Sequence, residues 1–514
     1  MQQLSGLDAS FLSYETPATP MHVGFIHIYD PSTAPGGKVR FKDILNHVEQ
    51  RLHGFRGFRQ KAVPVPLNLD NPYWVEDASF DLEYHVRHIA LPQPGDWRQF
   101  CIQVARLHSR PLDLTKPLWE FTIIEGLDNI EGLPRGCFAL VAKVHHAAID
   151  GVSGMDMTSA LHDPSPDAPP PAPKPWAPEP DPNPLTLLAR AQINNLRQPF
   201  RFLEVLGQSM PGFAKLGSAL ARGEVRLPGG GRTAPRTRFN GKVSSHRVFD
   251  GRLFDLADIR TIRNAVPGAT VNDVVLAVVG GALRKYLNGK NELPADSLIA
   301  MAPISVRTEM ERGSFGNQVS AMMVALGTHL ADPLVRLEYV HDDVKNSKAL
   351  TNAVGARTLT QYSEFIPSGL AGLAARFYTQ FGMAERTAPT INAVVSNVPG
   401  PQTPLYFAGA RLVVFHGLGP IFDGMGLIHA VVSYLGAISV AFVSDRDMIP
   451  DPTFYAQCLQ ESFDELKAAS RARLPESRSS AAAPDAGSGK PVPARPTPKR
   501  AAKGGTRRKT PPLE

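Results

Sequence analysis

Cysteine is scarce in this chain of 514 residues: only Cys101, Cys137 and Cys458 occur, widely spaced and without a Cys-x-x-Cys pair. That excludes a disulfide-stapled secreted scaffold and a cysteine-rich zinc module, and a reduced, cytoplasmic chain is expected. The opening Met-Gln-Gln-Leu-Ser-Gly-Leu-Asp has neither the positive start nor the apolar run of a signal peptide, so export is not expected. One uncharged stretch invites comparison with a membrane span, Gly424 to Ser444, which holds no Asp, Glu, Lys or Arg. Within it Ile428, Ala430, Val432 and Tyr434, then Ile438, Val440 and Phe442, alternate with period two around Gly436. Two buried strands are expected there, not a membrane span.

The folded body also lacks an excess of charge of one sign. The net charge is +6, but from Arg471 onward there are 11 Lys/Arg against 3 Asp/Glu, so the residues before it are close to neutral. A basic nucleic-acid groove is therefore not expected. That tail, built of Ala, Pro, Gly, Ser, Lys and Arg, has the composition of a disordered segment.

What is present is ample apolar material, 43% of residues, in a chain longer than one core usually supports. The expected organisation is an N-terminal domain over 1–163, a linker with crossover helices over 164–242, a C-terminal domain over 243–470 and a basic tail over 471–514. The linker opens with 11 prolines in the 21 residues from Pro164 to Pro184, which removes backbone donors and favours extended geometry. Strands are expected at Val23 to Tyr29, Cys137 to Val144, Leu298 to Val306, Val319 to Leu326 and Ile391 to Val395. Helices are expected at Phe41 to Leu52, and from a Thr270 cap with Asp273 three residues later to about Leu287. Strands and helices in both halves make this an α/β protein of two domains.

The apolar run Cys137 to Val144 leads into His145-His146-Ala147-Ala148-Ile149-Asp150-Gly151. Polar residues where a strand gives way to a loop are where open α/β sheets often place their sites. On an extended strand the two histidines would point to opposite faces, so only one faces a given cleft. Gly151 suits a turn. A neutral imidazole can accept the proton of a hydroxyl as it attacks an acyl carbon. A zinc site would need further ligands in register, and none accompanies the pair. By itself the segment is equally compatible with two satisfied core histidines before an Asp-Gly turn.

Other segments add to it: Leu4-Ser5-Gly6-Leu7-Asp8-Ala9-Ser10-Phe11-Leu12 with Pro20-Met21-His22-Val23-Gly24; Arg110-Pro111-Leu112-Asp113 with Lys116-Pro117-Leu118-Trp119-Glu120; Val271-Asn272-Asp273-Val274; Pro303-Ile304-Ser305-Val306-Arg307 with Gly316-Asn317; and Ser396-Asn397-Val398-Pro399-Gly400-Pro401. In this order they resemble the bacterial wax ester synthase/diacylglycerol acyltransferase family, within the CoA-dependent acyltransferases that share His-His-x-x-x-Asp-Gly. The resemblance covers most of the chain, excluding the proline linker and the tail.

The resemblance implies two chloramphenicol acetyltransferase-like domains with mixed sheets and an active-site tunnel between them. It makes His146 the general base and gives His145, Asp150 and Gly151 supporting roles, with Asp150 bonded to Arg307. Asn272 falls near the tunnel mouth, and Ser396 and Asn397 are candidate oxyanion donors. The implied reaction joins a long-chain acyl-CoA, which is a substrate, to diacylglycerol or a fatty alcohol. It needs no cofactor or metal and forms no acyl-enzyme. Trp119 reads as a packing anchor.

A lipid acceptor implies a peripheral position at the inner face of the membrane or on lipid inclusions. Apolar stripes in Leu185 to Leu206 and at Phe365-Ile366-Pro367, Leu370, Leu373 and Phe377 suit such an interface or interdomain packing. Lys499, Arg500, Arg507, Arg508 and Lys509 suit anionic lipid or plain solvation. Two other readings stay open at this point: a condensation-type enzyme using carrier-bound acyl groups, and an inactive coat protein of lipid inclusions.

Overall fold

The computed structural model describes residues 1–149, 151–196 apart from 175, 177 and 179, then 218, 222, 233–305, 319–354 and 383–473. Asp150, Arg307, Asn317, the apolar stretch Phe365 to Phe377 and the basic residues from Lys499 lie outside the described residues.

Two six-stranded sheets dominate the fold. The strands in chain order are β1 (Gln2–Gln3), β2 (His22–Asp30), β3 (Gln60–Val63), β4 (Tyr73–Glu76), β5 (Val86–Ala90), β6 (Trp119–Glu125), β7 (Phe138–His145), β8 (Arg247–Asp255), β9 (Ile299–Ser305), β10 (Val319–Ala325), β11 (Ala393–Pro399), β12 (Tyr406–Phe407), β13 (Ala410–Leu418), β14 (Leu427–Tyr434) and β15 (Ala437–Asp445). The first sheet runs β12-β13-β2-β7-β6-β5 and the second β10-β9-β11-β14-β15-β8. Both are mixed: β5 pairs parallel with β6, and β11 pairs parallel with β9 and β14, while the remaining pairs in each sheet are antiparallel. A small sheet, β1-β4-β3, stands apart from them.

β7 lies inside the first sheet between β2 and β6, and every residue from Phe138 to His145 is buried. Both faces of the strand are covered, which explains its apolar run from Phe138 to Ala142. Ala139 and Val141 join the larger core with the second sheet, while Leu140, Ala142 and Val144 join the other core. The uncharged stretch 424–444 forms the β14–β15 hairpin, turned by Leu435 at φ 43° and Gly436 at φ 82°. Positive φ at both turn positions matches the twist of the strands it joins.

The helices that place the site are α1 (Gly6–Tyr14), α2 (Phe41–Arg51), α3 (Trp97–His108), α4 (Gly151–Leu161), α5 (Val271–Gly289), α6 (Pro333–Val354) and α7 (Pro452–Arg473). α5 begins as its sequence predicts: Thr270 Oγ1 accepts from the Asp273 N–H, and the Asp273 carboxylate accepts from the Thr270 N–H. Two expectations need adjustment. Gly151 opens α4 rather than shaping a turn, and α7 continues through Arg471 to Arg473, three residues into the stretch read as disordered. Ser470 is still buried at that end, so packing extends the helix past the shift in composition.

One feature of the topology is invisible to local patterning. β12 and β13 come late in the chain but complete the edge of the first sheet, with β13 antiparallel to β2. β13 also touches the second sheet: His416 Nδ1 lies 2.6 Å from Ser439 Oγ. A Cβ on Gly417 would stand 2.9 Å from Ala430 Cβ, so the close approach of the two sheets depends on that glycine.

Candidate active site

β7 ends at His145, and His146 is the first residue of the turn that follows. The two rings therefore part because the strand stops between them, not by alternation along it. His145 is fully buried and His146 half-buried.

His145 is held at both ring nitrogens. Its Nδ1 accepts the Ala147 N–H at 3.0 Å, which leaves the ring proton on Nε2, 2.7 Å from Glu15 Oε2. Backbone bonds fix the same corner: His145 N–H donates to Leu118 O, His146 N–H to Met21 O, and Ala148 N–H to His145 O. The His146 ring lies flat against Phe11 of α1, with centroids 4.0 Å apart and planes 11° apart.

Phe11 and Glu15 thus touch the double histidine from a segment at least 130 residues earlier. Phe11 lay inside the recognised opening block, but nothing local assigns it a ring to stack on. Glu15 lies three residues past Leu12, at the C-cap of α1, and its pairing is a tertiary contact with no signal in spacing.

Behind the pair lies a buried polar layer. His22 is the register partner of His145 across β2 and β7. Its Nε2 lies 2.6 Å from His108 O, and His108 Nε2 lies 3.0 Å from Gly419 O. Burial drives the pKa of His22 well below the usual imidazole range, and it brings His108 down to about 3. Lys143, two residues before His145 on β7, is buried with Nζ 3.0 Å from Glu120 Oε2 and donates to the Arg110 carbonyl. Burial lowers its pKa despite that pairing. These groups are neutral or paired, so they support the corner without adding a free charge to it.

Trp119 is 2% exposed, donates its indole N–H to Phe58 O at 3.0 Å, and packs against His85 and Phe121. It is a packing residue.

A second constellation forms where α5 starts. Asn397 Nδ2 on β11 donates to Asn272 Oδ1 at 3.2 Å, so two sequence-predicted residues meet, and half-buried Ser396 precedes Asn397 on the strand. Beside them the buried Asp273 carboxylate lies 2.8 Å from His341 Nδ1 of α6. His341 was not foreseen from the sequence, because only the fold sets α6 beside the cap of α5. The Asp150 and Arg307 pairing cannot be placed in this geometry, since both lie outside the described residues.

The loop from α1 to β2 is tied across the molecule. Met21 N–H donates to Glu15 Oε2 at 3.1 Å, and Arg247 of β8 donates to the Ala18 carbonyl inside the same 15–21 loop. The second sheet therefore reaches the segment that holds the double histidine of the first.

Comparison with known proteins gives this arrangement relatives. The wax ester synthase/diacylglycerol acyltransferase catalytic domain matches residues 4–275, and the WS/DGAT C-terminal domain matches residues 315–467. The chain is 34% identical to the O-acyltransferase WSD of Acinetobacter baylyi, covering 88% of this chain and 93% of that protein. The solved wax ester synthase/diacylglycerol acyltransferase from Marinobacter aquaeolei VT8 is 27% identical, with a TM-score of 0.65 over 92% of this chain and 100% of that one. The first condensation domain of the calcium-dependent antibiotic synthetase, at 14% identity and a TM-score of 0.53 over 91% of this chain and 95% of that one, shares the fold alone.

Proposed function

Because this chain belongs to the wax ester synthase/diacylglycerol acyltransferase family, we propose that it is an O-acyltransferase. It moves a long-chain fatty acyl group from acyl-CoA to diacylglycerol, to a fatty alcohol, or to both. The observation that carries the reading is the division of labour at the end of β7. His145 is buried and engaged at both nitrogens, while His146 is half-buried on the turn, stacked on Phe11.

His146 is the general base. It takes the proton of the acceptor hydroxyl as that oxygen attacks the thioester carbonyl, which raises the nucleophilicity of an otherwise weak alcohol. The tetrahedral intermediate collapses to the ester and the CoA thiolate, and the imidazolium returns its proton to the thiolate sulfur. No acyl-enzyme forms, and no cofactor or metal takes part. Asp150 acts as a structural brace paired with Arg307, and Gly151 lets α4 start beside it. Asn272, Ser396 and Asn397 belong to a tunnel between the two domains that admits the substrates.

Among the described residues no helix is long and apolar enough to cross a membrane. Access to a water-insoluble acceptor then comes from peripheral contact with the inner membrane face or a lipid inclusion. Leu185, Ile193 and Leu196, on the helical residues 184–196, are exposed and suit that contact.

The test is an acceptor panel with one long-chain acyl-CoA, following free thiol and resolving products by chromatography. Thiol release should depend on added fatty alcohol or diacylglycerol and match ester formed. Release independent of any acceptor, or no turnover with binding to lipid inclusions retained, would reject the reading, the latter in favour of a coat protein.

A further inference from the structure

Glu15 grips the corner of the double histidine by two routes that close a ring around His146. By one, its Oε2 accepts the Met21 N–H at 3.1 Å, and the Met21 carbonyl accepts the His146 N–H at 2.8 Å. By the other, the same oxygen lies 2.7 Å from His145 Nε2, and His145 Nδ1 accepts the Ala147 N–H at 3.0 Å. His146 sits between these two anchors.

The second route has a chemical requirement. Nδ1 can accept the Ala147 N–H only if it carries no proton, so the neutral ring must carry its proton on Nε2. The His145 ring is fully buried, away from solvent that could take up that proton's hydrogen bond. An acceptor must therefore stand opposite Nε2, and Glu15, its side chain only 9% exposed, is that acceptor. Without it the Nε2–H would be a buried donor with no acceptor, and moving the proton to Nδ1 would set it against the Ala147 N–H, donor against donor, so neither tautomer would be satisfied in place. The turn that starts at His146 would then lose its anchor.

We infer that Glu15 is a positioning residue for the transfer: it fixes the Nε2–H tautomer of His145, and through Ala147 and Met21 it fixes the turn that presents His146. This rests on the reading of His146 as the base. In this role Glu15 acts through His145 and the turn rather than on a substrate, so its effect belongs in kcat and not in substrate affinity.

The experiment uses the full chain with histidine labelled by nitrogen-15, in wild-type form and as Glu15→Gln and Glu15→Ala. Nitrogen shifts and long-range couplings read the His145 tautomer, while acyl transfer gives kcat and KM. Gln offers an amide oxygen to both the Nε2–H and the Met21 N–H, so it should keep the Nε2–H tautomer and at least about a tenth of kcat, the loss reflecting a charged acceptor replaced by a neutral one. Ala should disturb the wild-type Nε2–H pattern of the His145 nitrogens and lower kcat about 100-fold with KM for acyl-CoA unchanged, the scale expected of a displaced catalytic group.

The proposal is overturned by a wild-type tautomer and kcat in Glu15→Ala, or by a Gln variant as impaired as Ala. If the Ala variant does not fold, the Gln variant decides alone by the same two readouts. If the wild type acylates no acceptor, the functional reading fails, while the nitrogen shifts still decide whether Glu15 sets the tautomer.

Discussion

At the scale of single residues, identical side chains take different parts because their surroundings differ. His145 and His146 are neighbours, yet one has both nitrogens engaged inside the protein and the other is half-buried on a turn. The sequence supports only a weak form of this, since strand alternation separates adjacent side chains but does not say which is buried. Glu15 and His341 were illegible for the same reason: each meets its partner across a long loop closure that no periodicity records. Trp119 was legible as packing. Trp119→Ala removes a fully buried indole and strands the Phe58 carbonyl, so it should cost about 3–5 kcal/mol of stability. Chemical denaturation measures this, and a loss below about 1 kcal/mol would contradict a packing role.

At the scale of elements, the sequence was most informative where a single local rule dominates. The period-two run around Gly436 became the β14–β15 hairpin, and the Thr270–Asp273 box starts α5 where it should. It was least informative where an element's place depends on distant chain. β12 and β13 were not among the strands expected from the sequence, and they extend the first sheet, β13 against β2 and β12 against β13. Close packing also hides in glycines. Gly280, inside α5, sits so near the end of β10 that a Cβ would stand 2.2 Å from the Leu326 carbonyl oxygen. Gly280→Ala should therefore destabilise by about 1–3 kcal/mol through overpacking, even though alanine is the better helix former by about 1 kcal/mol. Urea unfolding checks the sign, and a variant as stable as wild type would show that the helix can move away.

At the scale of the whole molecule, both sheets and both cores carry buried, neutral histidines. Burial lowers His162 to about 3 and His416 and His429 to about 4, alongside His108 at about 3. In the unfolded chain each would titrate near the usual 6.5, so below that pH the unfolded state binds more protons than the folded one. The stability these groups contribute is complete above about pH 6.5 and is lost as pH falls toward 4. Unfolding midpoints between pH 7.5 and 5 should therefore drop steeply, and a flat profile would show that the rings are hydrated or already charged.

The α/β architecture was legible from the alternation of strands and helices. The tie from Arg247 to the loop of Glu15, which lets one sheet brace the active corner of the other, was not. The central claim concerns one imidazole in that corner. It is tested most directly by acceptor-dependent thiol release from a long-chain acyl-CoA, comparing wild type with His146→Ala of equal melting temperature. General-base catalysis predicts a fall in kcat of about a hundred- to ten-thousand-fold with KM little changed, whereas an undiminished rate would remove His146 from the chemistry.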